Sequence, residues 1–370
     1  MKRLTFLLLA AIAVLLASCK PDDPIVPIDP NNPGDTLDVT DTIPEGILAK
    51  GVFVLNEGTY TFANASLAFY DPEADTVGKR LFYKANGAPI GDVAQSLALI
   101  NDDLFIVVNN SNYIYKVNAH TLKCDLTQNF KLDNFYSPRF MLPLSPNKAY
   151  VTDLMGNEIW IINPQQMTHT GTIAMGKPTE TMVKVGSEVY VTNWSNYYNN
   201  SVENNTVMVV SAENDIKVAE IQVGKEPNGM VVDKNGYVWV LCEGAYWDID
   251  AEDPSLWKIN PLTKTATCER TFYYTAMNLA IDPTGTYLYY FDNGDVRRMS
   301  VDDPTAEDSF LIPSDGRTLY KIAVNPNNGD IYVTDAKNYM VNGSVYRYSS
   351  DGLLLSDFSA GICPSFMLFN

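Results

Sequence analysis

Side chains that could do chemistry are sparse where catalysis would need them and dense where binding would use them. The chain holds two histidines, His120 and His169, and both fall in turns. Neither stands at a spacing that would pair it with a nucleophile, and no cysteine or histidine grouping has metal-site spacing. Asp248, Asp250, Glu252 and Asp253 could offer oxygens to a hard cation such as calcium. Their spacing is not that of an EF-hand, and a solvated acidic loop accounts for them as well. Asp153, Asn193, Asp292 and Asp335 each close an apolar run, where a short polar side chain bonds loop amides as an Asx turn does. Aromatic and amide side chains are the richer set: Tyr60, Phe62, Gln95, Asn110, Tyr136, Arg139, Trp194, Tyr197, Tyr246, Trp247, Tyr274, Tyr320 and Tyr339. Tyrosine and tryptophan give large rigid contact area with a polar tip, and amides supply paired donors and acceptors. Together they suit a large, flat, partly polar ligand.

Those residues lie in loops, and the strands between the loops repeat. An aromatic inside a short apolar strand recurs as Phe53, Phe105, Tyr150, Tyr190, Trp239, Tyr289 and Tyr332, at spacings of 52, 45, 40, 49, 50 and 43. Short strands with Gly, Asn and Pro turns at a period near 45 predict an all-β, seven-bladed β-propeller. One full blade is expected as Asn228–Asp233, Tyr237–Cys242, Ser255–Asn260 and Thr265–Phe272. The first repeat begins at Gly51 directly with its second strand, while Ile362–Phe369 has the pattern of a first strand. The C-terminal strand is therefore expected to pair into the N-terminal blade and close the ring, removing an open sheet edge. In such a ring the loops joining second to third strands, and those joining blades, share one face. All the aromatic and amide residues named above fall in that set.

Composition bounds the partners. A net charge of −18 argues against nucleic acid, which needs clustered Lys and Arg. After Cys19, four cysteines remain, at 124, 242, 268 and 363, with Cys124 and Cys268 placed on outer strands. All four are expected to be buried free thiols.

The N-terminus carries Lys2 and Arg3, an apolar stretch from Leu4 to Ala17, and Leu16-Ala17-Ser18-Cys19. It resembles a lipoprotein signal cleaved before a lipidated cysteine, so residues 1–18 are expected to be removed and Cys19 acylated, palmitate included. Several acyl chains give a stable membrane anchor. The Pro/Asp-rich residues 19–45 cannot bury enough apolar surface to fold and are expected to be a tether, with the propeller at 46–370. Acidic residues behind Cys19, and Asp35-Thr36-Leu37 with Asp41-Thr42-Ile43, resemble surface-export and O-glycosylation signals of Bacteroidetes lipoproteins. They imply the outer face of an outer membrane.

Further stretches carry a closer resemblance. Gly51-Val52-Phe53-Val54-Leu55-Asn56-Glu57-Gly58, Asn64–Leu67 and Tyr70-Asp71-Pro72 look like the opening of Bacteroidetes surface propellers once labelled surface-layer or quinoprotein-like. With Tyr83–Gly87, Gly91–Ser96, Val107–Ser111, Ser137-Pro138-Arg139, Trp194-Ser195, Pro254–Trp257 and Asn325–Gly329, the chain resembles the surface-exposed vitamin B12 (cobalamin)-binding lipoproteins of gut Bacteroidetes. The resemblance runs from about Gly51 to the C-terminus. It implies capture of cobalamin or a related corrinoid without catalysis or a required cofactor. It further implies transfer to a TonB-dependent outer-membrane transporter, with membrane contact through the lipid alone. The loops Tyr197–Asn205 and Ala245–Asp253 depart from the family's pattern, and ligand choice is expected to be set there. A propeller enzyme of the lactonase or quinoprotein type, with calcium or a quinone, and a glycan-binding or adhesion propeller remain alternatives.

Overall fold

A computed structural model describes residues 51–127, 130–131, 137–194, 203–245 and 251–370. They form seven four-stranded antiparallel sheets. Six sheets take their strands in chain order, and the seventh combines both ends of the domain. The fifth blade shows the plan: Pro227–Val232, Val238–Cys242, Ser255–Asn260 and Thr265–Thr271, each within one residue of its expected boundaries. First strands touch one another from blade to blade, so they line the axis, and fourth strands form the outer rim.

The repeated aromatics are the frame of this ring. Phe53, Phe105, Tyr150, Tyr190, Trp239, Tyr289 and Tyr332 all sit on second strands and are at most 1% exposed. Side chains alternate across a strand, so each second strand sends residues into the clusters on both of its faces. Trp239, for example, packs with Leu241 of its own strand and with Leu288 and Tyr290 of the next blade, while Val238 and Val240 pack with Val207 and Val209 of the one before. The polar tips of Trp239 and Tyr150 are satisfied at the edges, Trp239 Nε1 donating to Asp233 at 2.9 Å and Tyr150 OH to Asp215, while the buried Tyr332 OH has no hydrogen-bond partner among the described residues.

Closure follows the expected route. Pro364–Phe369 pairs antiparallel with Val52–Asn56, placing Phe369 opposite Val52 and Met367 opposite Val54. Backbone bonds Glu57 N–H to Cys363 O (2.9 Å), Gly58 N–H to Ile362 O (3.0 Å) and Asn370 N–H to Gly51 O (3.0 Å) extend the seam. Gly343 lies in it, and an added Cβ would stand 2.5 Å from the Asp335 carbonyl oxygen and 2.6 Å from Pro364 Cδ. Contact that close leaves room for glycine alone.

Local features differ from the sequence expectation. His169 stands in the strand Thr168–Ala174 and not in a turn. Leu81–Asn86 forms a short helix between the first two blades, burying Leu81 and Phe82 and ending at left-handed Gly87. Asn86 then ties the helix to the second blade, donating to Leu122 O at 2.8 Å and accepting from Cys124 N–H at 3.0 Å. That tie holds residues 122–125 outside any strand, and the outer strand shrinks to Phe130–Lys131. Cys124 is thus not on an outer strand and is only half-buried. Cys268 does occupy an outer strand, on its solvent-facing side, and is exposed rather than buried.

The four thiols are free, and burial pushes all of them up, those of Cys124 and Cys363 to about 11 and about 12 and that of Cys242 well above its ordinary value. That of Cys268 is also raised, so accessibility and not acidity sets Cys268 apart. Thiolate is the reactive form. In a Cys19→Ser chain, Ellman's reagent is expected to find one accessible thiol, Cys268, and the other three only in denaturant. Immediate reaction of Cys242 or Cys363 would contradict the packing.

Candidate functional site

Six of the seven first strands carry a register irregularity near their start, on the face where the aromatic loops lie. The residues left out of one-to-one pairing are Gln95; Arg139 and Phe140; Asn228; Asn278 and Leu279; Tyr320 and Lys321; and Ser365. In the fourth blade, Glu180 N–H bonds Thr192 O (3.1 Å) and Thr192 N–H bonds Thr181 O (3.0 Å), again two residues against one. A bulge turns a side chain out of the sheet's alternation, and here it does so around the axis. In three blades the Thr two residues after the anchor aromatic accepts the N–H that the bulge frees. Phe140 N–H bonds Thr152, Thr181 N–H bonds Thr192, and Lys321 N–H bonds Thr334, each at 3.0 Å. A Tyr-Val-Thr-Asp/Asn run is therefore a local signature of a bulge on the neighbouring strand.

The polar ring is cross-linked. Arg139 donates through Nε and Nη2 to the two carboxylate oxygens of Glu180, both at 2.7 Å, and Glu180 is 2% exposed. The guanidinium lies 5.6 Å from the centroid of Trp194, whose Nε1 donates to Glu243 at 3.4 Å. Asn228 donates to the other Glu243 oxygen at 2.9 Å. Across the ring, Tyr320 OH donates to Glu57 at 2.9 Å, and its ring meets Tyr339 edge-on at 5.8 Å. Lys321 Nζ lies 5.6 Å from the Tyr320 ring centroid. Burial pushes the Glu243 carboxyl up, against the pull of Lys321, Asn228 and Trp194. Burial opposes charge on Arg139, but Glu180 and Glu57 hold its pKa above the usual value. Tyr320 is pushed well above its ordinary range by burial and by Glu57.

The predicted residues divide into four groups. Gln95, Arg139, Trp194 and Tyr320 belong to the ring or touch it. Tyr60, Phe62, Tyr274 and Tyr339 stand exposed on the loops above, with Tyr273 the most open at 87%. The loops bearing Tyr60 and Tyr339 meet through Thr59 Oγ1 and the Tyr339 carbonyl at 3.3 Å. Asn110 plays a bracing part: it donates to Asp92, whose carboxylate accepts the Thr61 N–H and so holds the Tyr60–Phe62 turn. Tyr136, Tyr197, Tyr246, Trp247 and Cys19 lie outside the described residues. Glu57, Glu180, Asn228, Glu243, Lys321 and Ser365 are ring members that sequence reasoning did not select. Register against Gln95 and Arg139 at the starts of first strands was the available signal for most of them.

The strand-end acids act as loop anchors. Asp153 Oδ1 accepts the N–H groups of Ser137, Met155 and Gly156 at 2.9–3.1 Å, and Asp335 Oδ1 those of Thr318 and Lys337. Asn193 instead donates to Pro178 O at 3.3 Å. Among the described residues no three His, Cys, Asp or Glu side chains converge as a metal-ligand set. Asp248 and Asp250 lie outside the described residues. A cavity of about 630 Å³ opens on the opposite face at the closure seam, against Gly51, Asn325, Asn328, Arg347 and Asn370, and holds none of the predicted ligand residues.

The class is thus a seven-bladed β-propeller with a polar axial mouth under exposed aromatic loops. Residues 50–369 match the family described as a domain of unknown function, DUF5074, and the chain belongs to it. No curated protein matches. Among solved structures it is similar to a quinoprotein alcohol dehydrogenase-like protein of Bacteroides thetaiotaomicron VPI-5482, at 17% identity and TM-score 0.65, covering 86% of this chain and 78% of that one. Hydrazine synthase of Kuenenia stuttgartiensis (13% identity, TM-score 0.56, 74% and 88% covered) is also similar. So is Citrobacter koseri AztD (12%, 0.52, 87% and 98%). At these identities the likeness is one of fold.

Proposed function

We propose that the protein captures cobalamin or a related corrinoid in the axial mouth, performs no chemistry on it, and passes it to a TonB-dependent transporter. Lipid on Cys19 and the tether at 19–45 would keep it at the outer face of the outer membrane. The observation that carries the reading is the pairing of a pre-bonded polar ring with exposed aromatics on the same face. A corrinoid is a broad apolar macrocycle fringed with amides, and it needs both kinds of contact. The sequence resemblance from Gly51 onward supports the choice of ligand. A rigid ring loses little freedom on binding, which favours tight capture. The tether would keep the effective concentration near the transporter high.

Isothermal titration with cyanocobalamin is expected to give nanomolar or tighter affinity. No binding at micromolar concentration would end the corrinoid reading, and a bound calcium or quinone found by metal analysis and absorption spectroscopy would favour an enzyme. Trp194→Ala and Tyr274→Ala are expected to weaken capture by about 1–3 kcal/mol each, or about 5- to 150-fold. Unchanged affinity in both variants would move the site elsewhere.

A further inference from the structure

We infer that the polar ring selects ligands bearing uncharged hydrogen-bond donors, primary carboxamides above all, and rejects the corresponding carboxylates, with Glu243 and Glu57 as the selecting groups. The inference deepens the corrinoid reading and rests on it. Its first support is charge: three carboxylates, Glu57, Glu180 and Glu243, face two cations, Arg139 and Lys321, across the ring. Arg139 has a forked pair of donors committed to Glu180, a geometry already matched to a carboxylate. Lys321 sits in the field of Glu243. Among these five described groups the negative charges outnumber the positive by one, so an incoming anion is repelled, in surroundings where burial weakens screening.

A second support is the hydrogen-bond inventory. Each Glu243 oxygen accepts one bond, from Trp194 and from Asn228, and one Glu57 oxygen accepts from Tyr320. A carboxylate offers about four lone-pair sites, so acceptor capacity is left over. Of the amides beside it, Asn109 commits both N–H groups, to Ser137 and Pro138, and Asn228 and Asn278 commit one of two each, to Glu243 and to the Tyr320 carbonyl. Ser365 adds an independent sign of a polar ligand. Its hydroxyl lies in the bulge of the closing strand, 5% exposed, with no hydrogen-bond partner. A buried hydroxyl left unmatched is costly, and a bound amide could both give it and accept from it a hydrogen bond.

The test compares cyanocobalamin with its monocarboxylate derivatives, in which one peripheral propionamide is a propionate, by titration against the full chain. Wild type is expected to bind the amide form at least about tenfold more tightly than at least one monocarboxylate isomer. Glu243→Gln or Glu57→Gln should shrink that ratio about fivefold, and Lys321→Met should enlarge it. Thermal melts confirm that each variant is folded, and Lys321→Met keeps the test open if a glutamate variant is not. Equal affinity for the amide form and every isomer in wild type, or a ratio unmoved by all folded variants, overturns the inference and leaves corrinoid capture standing. Absence of binding by either form overturns capture itself, and the inference with it.

Discussion

Deleting Ile362–Asn370 is expected to unfold the propeller or lower its melting temperature by more than about 10 °C. The lost strand supplies the innermost member of the first blade, so Val52–Asn56 would lose one entire hydrogen-bonded edge. Met367 and Phe369 pack in the cluster of Val52, Val54, Tyr70 and Tyr332, where the Phe369 and Tyr332 rings meet at 5.2 Å. Phe366 and Leu368 pack on the opposite side, against the cluster that joins the first two blades. Fully burying a large apolar side chain contributes about 1.5–3 kcal/mol, so four partly and fully buried ones contribute at least about 5 kcal/mol. At about 2 °C per kcal/mol for a domain of this size, the fall in melting temperature exceeds 10 °C. The deletion also opens a sheet edge at the axis. Scanning calorimetry of the truncated chain decides the matter, and an unchanged melting temperature would refute strand closure.

The second large effect is expected at the Arg139–Glu180 pair. Both side chains are nearly out of solvent, at 12% and 2% exposure, so removing one partner leaves the other charge buried. Arg139→Ala and Glu180→Ala should each cost about 3–5 kcal/mol in urea unfolding. The double variant Arg139→Met/Glu180→Leu should recover much of that, because neither charge then needs a partner. Single-variant losses under about 1 kcal/mol would show that the pair is hydrated and does not hold the third and fourth blades together. Trp194 gives a second readout. Its ring rests on the Arg139 guanidinium, so Arg139→Ala should shift its fluorescence and weaken capture even in protein that remains folded.

Much of this architecture is legible along the chain because it repeats. Each anchor aromatic, its alternating neighbours and the turn after it lie within about ten residues, and the same local preference is stated seven times. Closure was legible too, since Ile362–Phe369 has a first-strand pattern with no blade of its own to fill. The helix at Leu81–Asn86 was not, because its six residues are too short to show a period, and it persists by packing Leu81 and Phe82. The exposure of Cys268 was equally hidden, because on an outer strand sequence alternation does not say which face meets water.

The candidate site divides along the same line. Sequence by itself placed the aromatic and amide residues on one face and selected Arg139, Trp194 and Tyr320 among them. Gln95, Arg139 and Tyr320 nevertheless stand on first strands and not in loops, because those strands begin earlier than the pattern suggests. Tertiary structure decided that Arg139 grips Glu180, that Trp194 and Asn228 share Glu243, and that Tyr320 reaches Glu57. The ring takes its members from separate blades, and many of its partners stand 40 or more residues apart in the chain. Arg139 and Glu180 are separated by 41 residues and Tyr320 and Glu57 by 263. A bond between such partners leaves no local pattern. It exists because seven blades close around one axis, and because a bulge at the start of each first strand turns a polar side chain toward it.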